Sequence, residues 1–202
     1  MRKFAGFATL FAIALLASRA SAQQGDVALG FSALMSPGAA SCSFATGLCP
    51  EKGGVYPSIN ADVIFHRRIG FNYEVTWRGG QGLYGGCANC QPYRPIINDF
   101  SAIFQPRLGK KLGADLLAGI GFQDTRYYGY QPTYSCYALG ACFTSSFHFL
   151  TDIGGGIRYY FWHSAFIRPE VRYYYVHNNT ADFSSGNLLR VGASLGYTIG
   201  GR

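Results

Sequence analysis

Six cysteines are the first candidates for chemistry in this chain, and they come in three close pairs. Cys42 and Cys49, Cys87 and Cys90, and Cys136 and Cys142 each sit in a stretch without strand or helix pattern. Six cysteines permit 15 pairings, and one pair per segment favours local bridges in an oxidising compartment. Cys87-Ala88-Asn89-Cys90 has the C-x-x-C spacing of redox and zinc sites. A redox thiol needs a helix N-terminus behind it to lower its pKa, and a structural zinc needs four ligands. The segment supplies neither, so it reads as a loop staple, and the chain calls for no metal and no cofactor.

The four histidines form no catalytic set in the sequence. His66 and His148 fall on polar strand faces near opposite ends, His163 precedes Ser164 in a tight turn, and His177 stands at a loop edge. No Ser–His–acid group assembles from these positions. Gly154-Gly155-Gly156 is not followed by a strand-to-helix transition and is no phosphate loop. Asn178-Asn179-Thr180 matches the N-x-T sequon of eukaryotic secretion, a short pattern that also arises by coincidence. Tyr127, Tyr128, Tyr130, Tyr134 and Tyr137 crowd one long loop. Rigid aromatics in a stapled loop suit contact with a glycan or protein surface, and a self-packed loop explains them equally well.

The elements that must position these residues alternate with a period of two, the signature of β-strands. Ile69, Phe71, Tyr73, Val75 and Trp77 are apolar, while Gly70, Asn72, Glu74 and Thr76 lie between them and Arg78 follows. The pattern recurs in eight segments, near 26–36, 55–67, 69–77, 96–108, 112–123, 147–159, 167–175 and 189–199. Five or six outward positions per strand, tilted about 40°, give an apolar band about 25 Å tall. Short connections at Arg67-Arg68, Gly109-Lys111 and Trp162-His163 alternate with long ones near 37–54, 79–95, 125–146 and 178–186. Tight turns at one rim and long loops at the other describe an up-and-down barrel.

The first 22 residues read as a secretory signal peptide: Arg2 and Lys3, an apolar run from Phe4 to Ala17, and a small-residue cleavage site at Ala20-Ser21-Ala22. The run is too short for a membrane-spanning helix. No cysteine follows until Cys42, so no lipid anchor is expected. Residues 23–202 then form one barrel domain. Removing Arg2, Lys3 and Arg19 takes the 17 basic residues of the chain to 14 against 10 acidic ones, so the net charge falls from +7 to +4. The basic character therefore belongs largely to the signal, and nucleic acid is not an expected partner. Lys52, Lys110 and Lys111 are the only lysines left, too few to clothe the solvent face of a water-soluble β-protein. A lipocalin-like soluble barrel is the rival architecture.

The whole mature chain resembles, in pattern, the small outer-membrane β-barrels that include the membrane domain of outer-membrane protein A. The closing stretch Leu195-Gly196-Tyr197-Thr198-Ile199 looks like that family's last strand, although Gly200-Gly201-Arg202 replaces its usual aromatic ending. The resemblance implies an all-β, eight-stranded antiparallel up-and-down transmembrane β-barrel in the bacterial outer membrane. It further implies contact with membrane lipid and lipopolysaccharide, and with the barrel assembly machinery. Some such barrels modify lipid A through a His-x-Ser motif, which His163-Ser164 does not reproduce. Arg94 and Arg126 could aid contacts to anionic headgroups.

Six carboxylates (Asp62, Glu74, Asp99, Asp115, Asp152, Glu170) and six arginines (Arg78, Arg107, Arg158, Arg168, Arg172, Arg190) share the polar, inward face. Enclosed charges must pair, and depth along the strands predicts Arg107–Asp115 and Arg78–Asp99. Eight strands leave a lumen that side chains can fill, and Ile64, Ile97, Ile103, Leu117 and Leu150 also point inward. The expected role is a non-enzymatic envelope protein whose stapled external loops serve surface interaction or adhesion to an unidentified ligand. A narrow passive pore and a lipid A-modifying enzyme are the alternatives. No peptidoglycan-binding domain follows the barrel, so anchoring to the cell wall through this chain is not expected.

Overall fold

The computed structural model describes residues 24–39, 41–42, 48–51, 53–66, 68–84, 91–129, 135–136 and 142–200. The signal segment, Cys87, Cys90, Tyr130, Tyr134, Tyr137 and the final Gly201-Arg202 lie outside the described residues.

Ten strands form one antiparallel sheet: β1 (Gln24–Met35), β2 (Val55–His66), β3 (Ile69–Trp77), β4 (Gly82–Leu83), β5 (Pro92–Phe104), β6 (Leu112–Tyr128), β7 (Ser135–Cys136), β8 (Cys142–Trp162), β9 (Ala165–Val176) and β10 (Asn187–Gly200). β4 and β7 are two-residue ribbons pairing with β5 and β8, outside the cylinder. The other eight strands pair in sequence. β1 joins β10 from Gln24↔Gly200 to Met35↔Leu189, so the cylinder closes without a free edge. Closure leaves every strand's backbone donors and acceptors facing a neighbour, which a hydrocarbon surround demands.

The alternation expected from the sequence is the alternation of burial. Phe71 is 65% exposed and Ile153 62%, while Glu74 and Arg172 are fully enclosed. Phe104 and Val191 also face outward. Ile64, Ile97, Ile103, Leu117 and Leu150 are buried inside, at 3% exposure or less. A contiguous apolar belt of this extent is not carried in water by a monomeric soluble protein, and it excludes the soluble-barrel rival, whose apolar face would turn inward.

Two boundaries depart from expectation. β5 runs from Pro92 to Phe104 instead of from 96 to 108. Pro95 does not end it, because Pro95 lies beyond the last β3 partner, Trp77↔Ile96, where no ladder donor is needed on that side. Pro106 ends it instead, leaving Arg107↔Gly113 as an isolated bridge. β6 and β8 continue beyond the β8–β9 ladder, which ends at Leu150↔Val176, and stay paired out to Tyr128↔Phe143 with β5 beside β6 as far as Tyr93↔Tyr127, so part of the expected third loop is sheet. The tight turns place Arg68 (φ 72) and His163 (φ 39) in the left-handed region. At Gly196 a β-carbon would stand 2.3 Å from the Phe166 ring, so that inward position admits only glycine beside an enclosed aromatic.

Candidate functional site

The lumen is the most elaborate side-chain assembly in the molecule, and it is built by strand parity. Every second residue of β1, β2, β3, β5, β6, β8, β9 and β10 faces the lumen, and those positions carry the charges. Near the tight-turn end, Arg158 donates to Asp26, to Asp62 at 3.0 Å and to Asp115 at 2.9 Å. Its guanidinium also lies 4.2 Å from the Phe166 ring centroid. Arg168 shares Asp62 and Asp115, each at 3.2 Å, and its Nε stands 3.0 Å from Glu170. Farther up, Arg190 grips Glu74 with two parallel bonds of 2.7 and 2.8 Å and reaches Glu170 at 2.8 Å. Arg172 contacts Glu74 at 2.9 Å and donates to Asp99 and to Asn72. Asn72 in turn donates to Asp62, so the two halves form one network.

Both predicted pairs are corrected. Asp115 is held by Arg158 and Arg168, not Arg107, and Asp99 by Arg172, not Arg78. The lumen is narrow enough for a long guanidinium to cross to strands that are not its neighbours, so similar depth on adjacent strands does not fix the partner. Arg107 and Arg78 also lie beyond the ladders. Arg107 follows Pro106 and is exposed at the rim. Arg78 follows the last residue of β3 and donates 2.9 Å to the Tyr93 hydroxyl. Asp26 joins the network although it is not among the expected charges; its parity with the inward Ala28 and Ser32 is the available signal. Among the described residues the network holds seven carboxylates (Asp26 with the six predicted) and four arginines, rather than six of each.

Above the charges, Leu34, Tyr56, Ile97, Leu150, Tyr174, Val176 and Leu188 form an apolar layer across the lumen. The outer mouth is then covered by loops. Phe183 is buried among Tyr93, Tyr127 and Tyr84, and the Tyr84 hydroxyl donates to the Asp182 carbonyl. From the β1–β2 connection Glu51 turns inward, fully buried, and accepts 2.7 Å from Gln123. Burial pushes its carboxyl up to about 7, against the pull of Gln123, Asn179 and Arg78. The segment is pinned by Gly53 N–H to the Leu34 carbonyl (2.9 Å) and Ser184 N–H to the Cys49 carbonyl (3.1 Å). Gly53 and Gly54 take φ of 74° and 90°, the left-handed turn that brings Glu51 back over the mouth.

No family model and no curated protein matches the chain. Solved structures do. A major outer membrane protein of Thermus thermophilus superimposes with TM-score 0.59 over 87% of this chain and 98% of its own, at 9% identity. The N-terminal β-barrel domain of Pseudomonas aeruginosa OprF gives 0.57 over 89% and 99%, at 9% identity. Ail, the attachment invasion locus protein of Yersinia pestis, in complex with the heparin analogue sucrose octasulfate, gives 0.53 over 87% and 98%, at 12% identity. The fold is that of the eight-stranded outer-membrane β-barrels.

In an outer-membrane barrel the long connections are external and the tight turns periplasmic, which sets the apolar layer and Glu51 at the outer end. The external rim brings together a group that the sequence did not suggest. His148 Nε2 lies 2.9 Å from Ser146 Oγ and 2.9 Å from Asp182 Oδ2. Both contacts use the same ring nitrogen, so the imidazole cannot pass a proton between acid and hydroxyl as a relay does. Ser146 and His148 share one face of β8, two residues apart; Asp182 arrives from a distant loop, which no local spacing reveals. His177 packs between the Phe149 and Tyr175 rings, and His163 occupies the periplasmic turn. Cys42 and Cys49 are disulfide-bonded. Cys142 is disulfide-bonded as well, and lies opposite Cys136 in the β7–β8 register. Of the tyrosines proposed for recognition, Tyr127 is buried in the aromatic cover and Tyr128 packs against Phe143.

Proposed function

We infer that this chain is a non-enzymatic structural protein of the bacterial outer membrane, with stapled external loops that present a surface for contact outside the cell. The observation that carries the reading is the filled lumen. Four buried arginines cross-link carboxylates from seven strands, and an apolar layer and a loop cover lie above them. Such an interior holds the cylinder together from within and offers hydrated ions no continuous path. The apolar belt supports residence in lipid, and the extended β6–β8 pairing and the Cys42–Cys49 staple support a rigid outer surface. Attachment, the role in Ail's name, is one that this architecture can carry.

Purified protein in planar bilayers tests the reading. Sustained openings from pure protein would sink it in favour of the narrow pore. Mass spectrometry of lipid A from expressing cells covers the enzymatic alternative: the expected result is an unchanged acyl pattern. Binding of expressing cells to host-cell or glycan-coated surfaces, set against a non-expressing strain, tests the adhesive component.

A further inference from the structure

The periplasmic end of the lumen is built differently from the outer end. Instead of a cover it holds a cavity of about 760 Å³ that opens among the tight turns. Its floor is closed by polar groups. Gln24 donates to Asp26 at 2.9 Å and to the Gln105 side-chain oxygen at 3.1 Å, and Arg158 is committed to three aspartates. Around the opening stand Arg68 from the β2–β3 turn and Arg107 and Lys110 from the β5–β6 turn, all exposed. Among the described residues, four cations including Arg158 line this cavity against one acid, Asp115.

The three rim cations differ from the four lumen arginines and from Arg126. Each lumen arginine holds two or more carboxylates, and at the outer rim Arg126 has Asp124 at 3.3 Å. Among the described residues, Arg68, Arg107 and Lys110 have no carboxylate within ion-pair distance. Three like charges gathered from two turns around one concavity repel each other and focus a positive potential into it. Asp115, which lines the cavity, also carries an unmet acceptor: its Oδ1 is buried with no hydrogen-bond partner among the described residues.

We propose that this cavity is a binding site for a small soluble phosphate ester bearing a hydroxyl or amino group. The phosphate would lie among Arg68, Arg107 and Lys110, and the hydroxyl or amine would face the polar floor formed by Gln24, Gln105 and Asp115. The volume falls in the range of small-molecule sites, and cationic forks suit phosphate oxygens. The floor groups Gln105, Asp115 and Arg158 are buried on the inward face, inside the barrel wall, and the exposed rim cations stand at the opening above them, which favours a periplasmic solute over a headgroup of the surrounding leaflet. The inference goes beyond the envelope role and does not depend on it.

The test uses full-length mature protein in phosphatidylcholine nanodiscs, titrated with glycerol 3-phosphate, inorganic phosphate or glycerol. Calorimetry is read alongside the amide resonances of Gly109 and Gly113, with Gly192 as a distant control. The expected result is saturable binding of glycerol 3-phosphate, weaker binding of inorganic phosphate and none of glycerol. The combined variant Arg68→Asn, Arg107→Gln, Lys110→Gln should weaken binding at least about tenfold, as loss of charge-assisted contacts requires. Asparagine at 68 keeps a residue that accepts the left-handed turn. Arg126→Gln, at the opposite rim, should leave binding unchanged. If the combined variant does not fold, Arg107→Gln and Lys110→Gln are read singly, each with a partial loss. Absence of saturation, or equal affinity in the variants, would overturn the proposal. So would amide shifts that arise only when phosphatidylglycerol replaces part of the phosphatidylcholine, because the site would then belong to lipid headgroups.

Discussion

At the level of single residues, the best-defined behaviours belong to Glu51 and the lumen arginines. The Glu51 carboxyl rises from its usual 4.5 to about 7 because burial disfavours its charged form. A raised carboxylate keeps its full contribution to loop docking below about pH 4.5 and loses it as the pH climbs through about 7. The facing groups act in opposite senses, Arg78 favouring the anion and Asp182 the neutral acid. The difference between pH 4 and pH 8 is on the order of 3 kcal/mol. Hydrogen exchange of the amides of residues 48–54 should therefore be slower, relative to intrinsic rates, at pH 5 than at pH 8. Glu51→Gln should abolish that pH dependence and keep the segment docked; an unchanged dependence would place the titrating group elsewhere. Arg190→Met would leave Glu74 without its two-pronged partner, and removing one member of a buried pair costs about 3–5 kcal/mol. Reversible urea unfolding in lipid vesicles measures that loss. The inward parity of Glu74 and Arg190 is legible in the sequence, but Glu51 is not, because it lies in a loop whose path is fixed by contacts with Leu34, Ser184 and Gln123.

At the level of elements, the strands carry two environments whose demands differ. Ile153 on β8 and Phe71 on β3 face outward. An arginine at such a position near the middle of the bilayer costs about 2–4 kcal/mol, so Ile153→Arg should lower folding free energy in vesicles by that amount. A serine at the same site should cost much less, and equal effects would argue against lipid at that face. The Cys42–Cys49 bridge closes a short loop and stabilises it by about 2–3 kcal/mol relative to the reduced chain. Its reduction should speed proteolysis in the β1–β2 connection while the barrel keeps its heat-modifiable gel mobility. Alternation places all eight strands, since the side-chain period follows from backbone geometry alone. The bounds of β5 are not legible in the same way, because a proline signals a boundary only where the ladder needs its missing donor. The β6–β8 extension is hidden because polar and aromatic residues outside the membrane need not alternate.

Across the whole molecule, the cylinder is divided along its axis into a periplasmic vestibule, a charge network, an apolar layer and an external cover. Removing a single layer should not open a pore. A variant truncating Phe183 and Tyr84 to alanine should remain non-conducting in planar bilayers, because the apolar and charged layers persist; steady conductance would show that the loops alone close it. Parity and rhythm are written in the chain alone: which residues face lipid, which face the lumen, how many strands build the barrel, and which rim carries the long loops. Those features follow from the two-residue period and the spacing of turns, both local properties of the chain. Which arginine meets which carboxylate, the membership of Asp26 in the network, and the convergence of Ser146 and Asp182 on one ring nitrogen of His148 emerge only from the closed barrel. Partner choice inside a closed cylinder is a matter of distance across the lumen, between residues up to 132 positions apart in the chain, as Arg158 and Asp26 are. Such distances are set by how a tilted sheet closes on itself, and no window of sequence contains them.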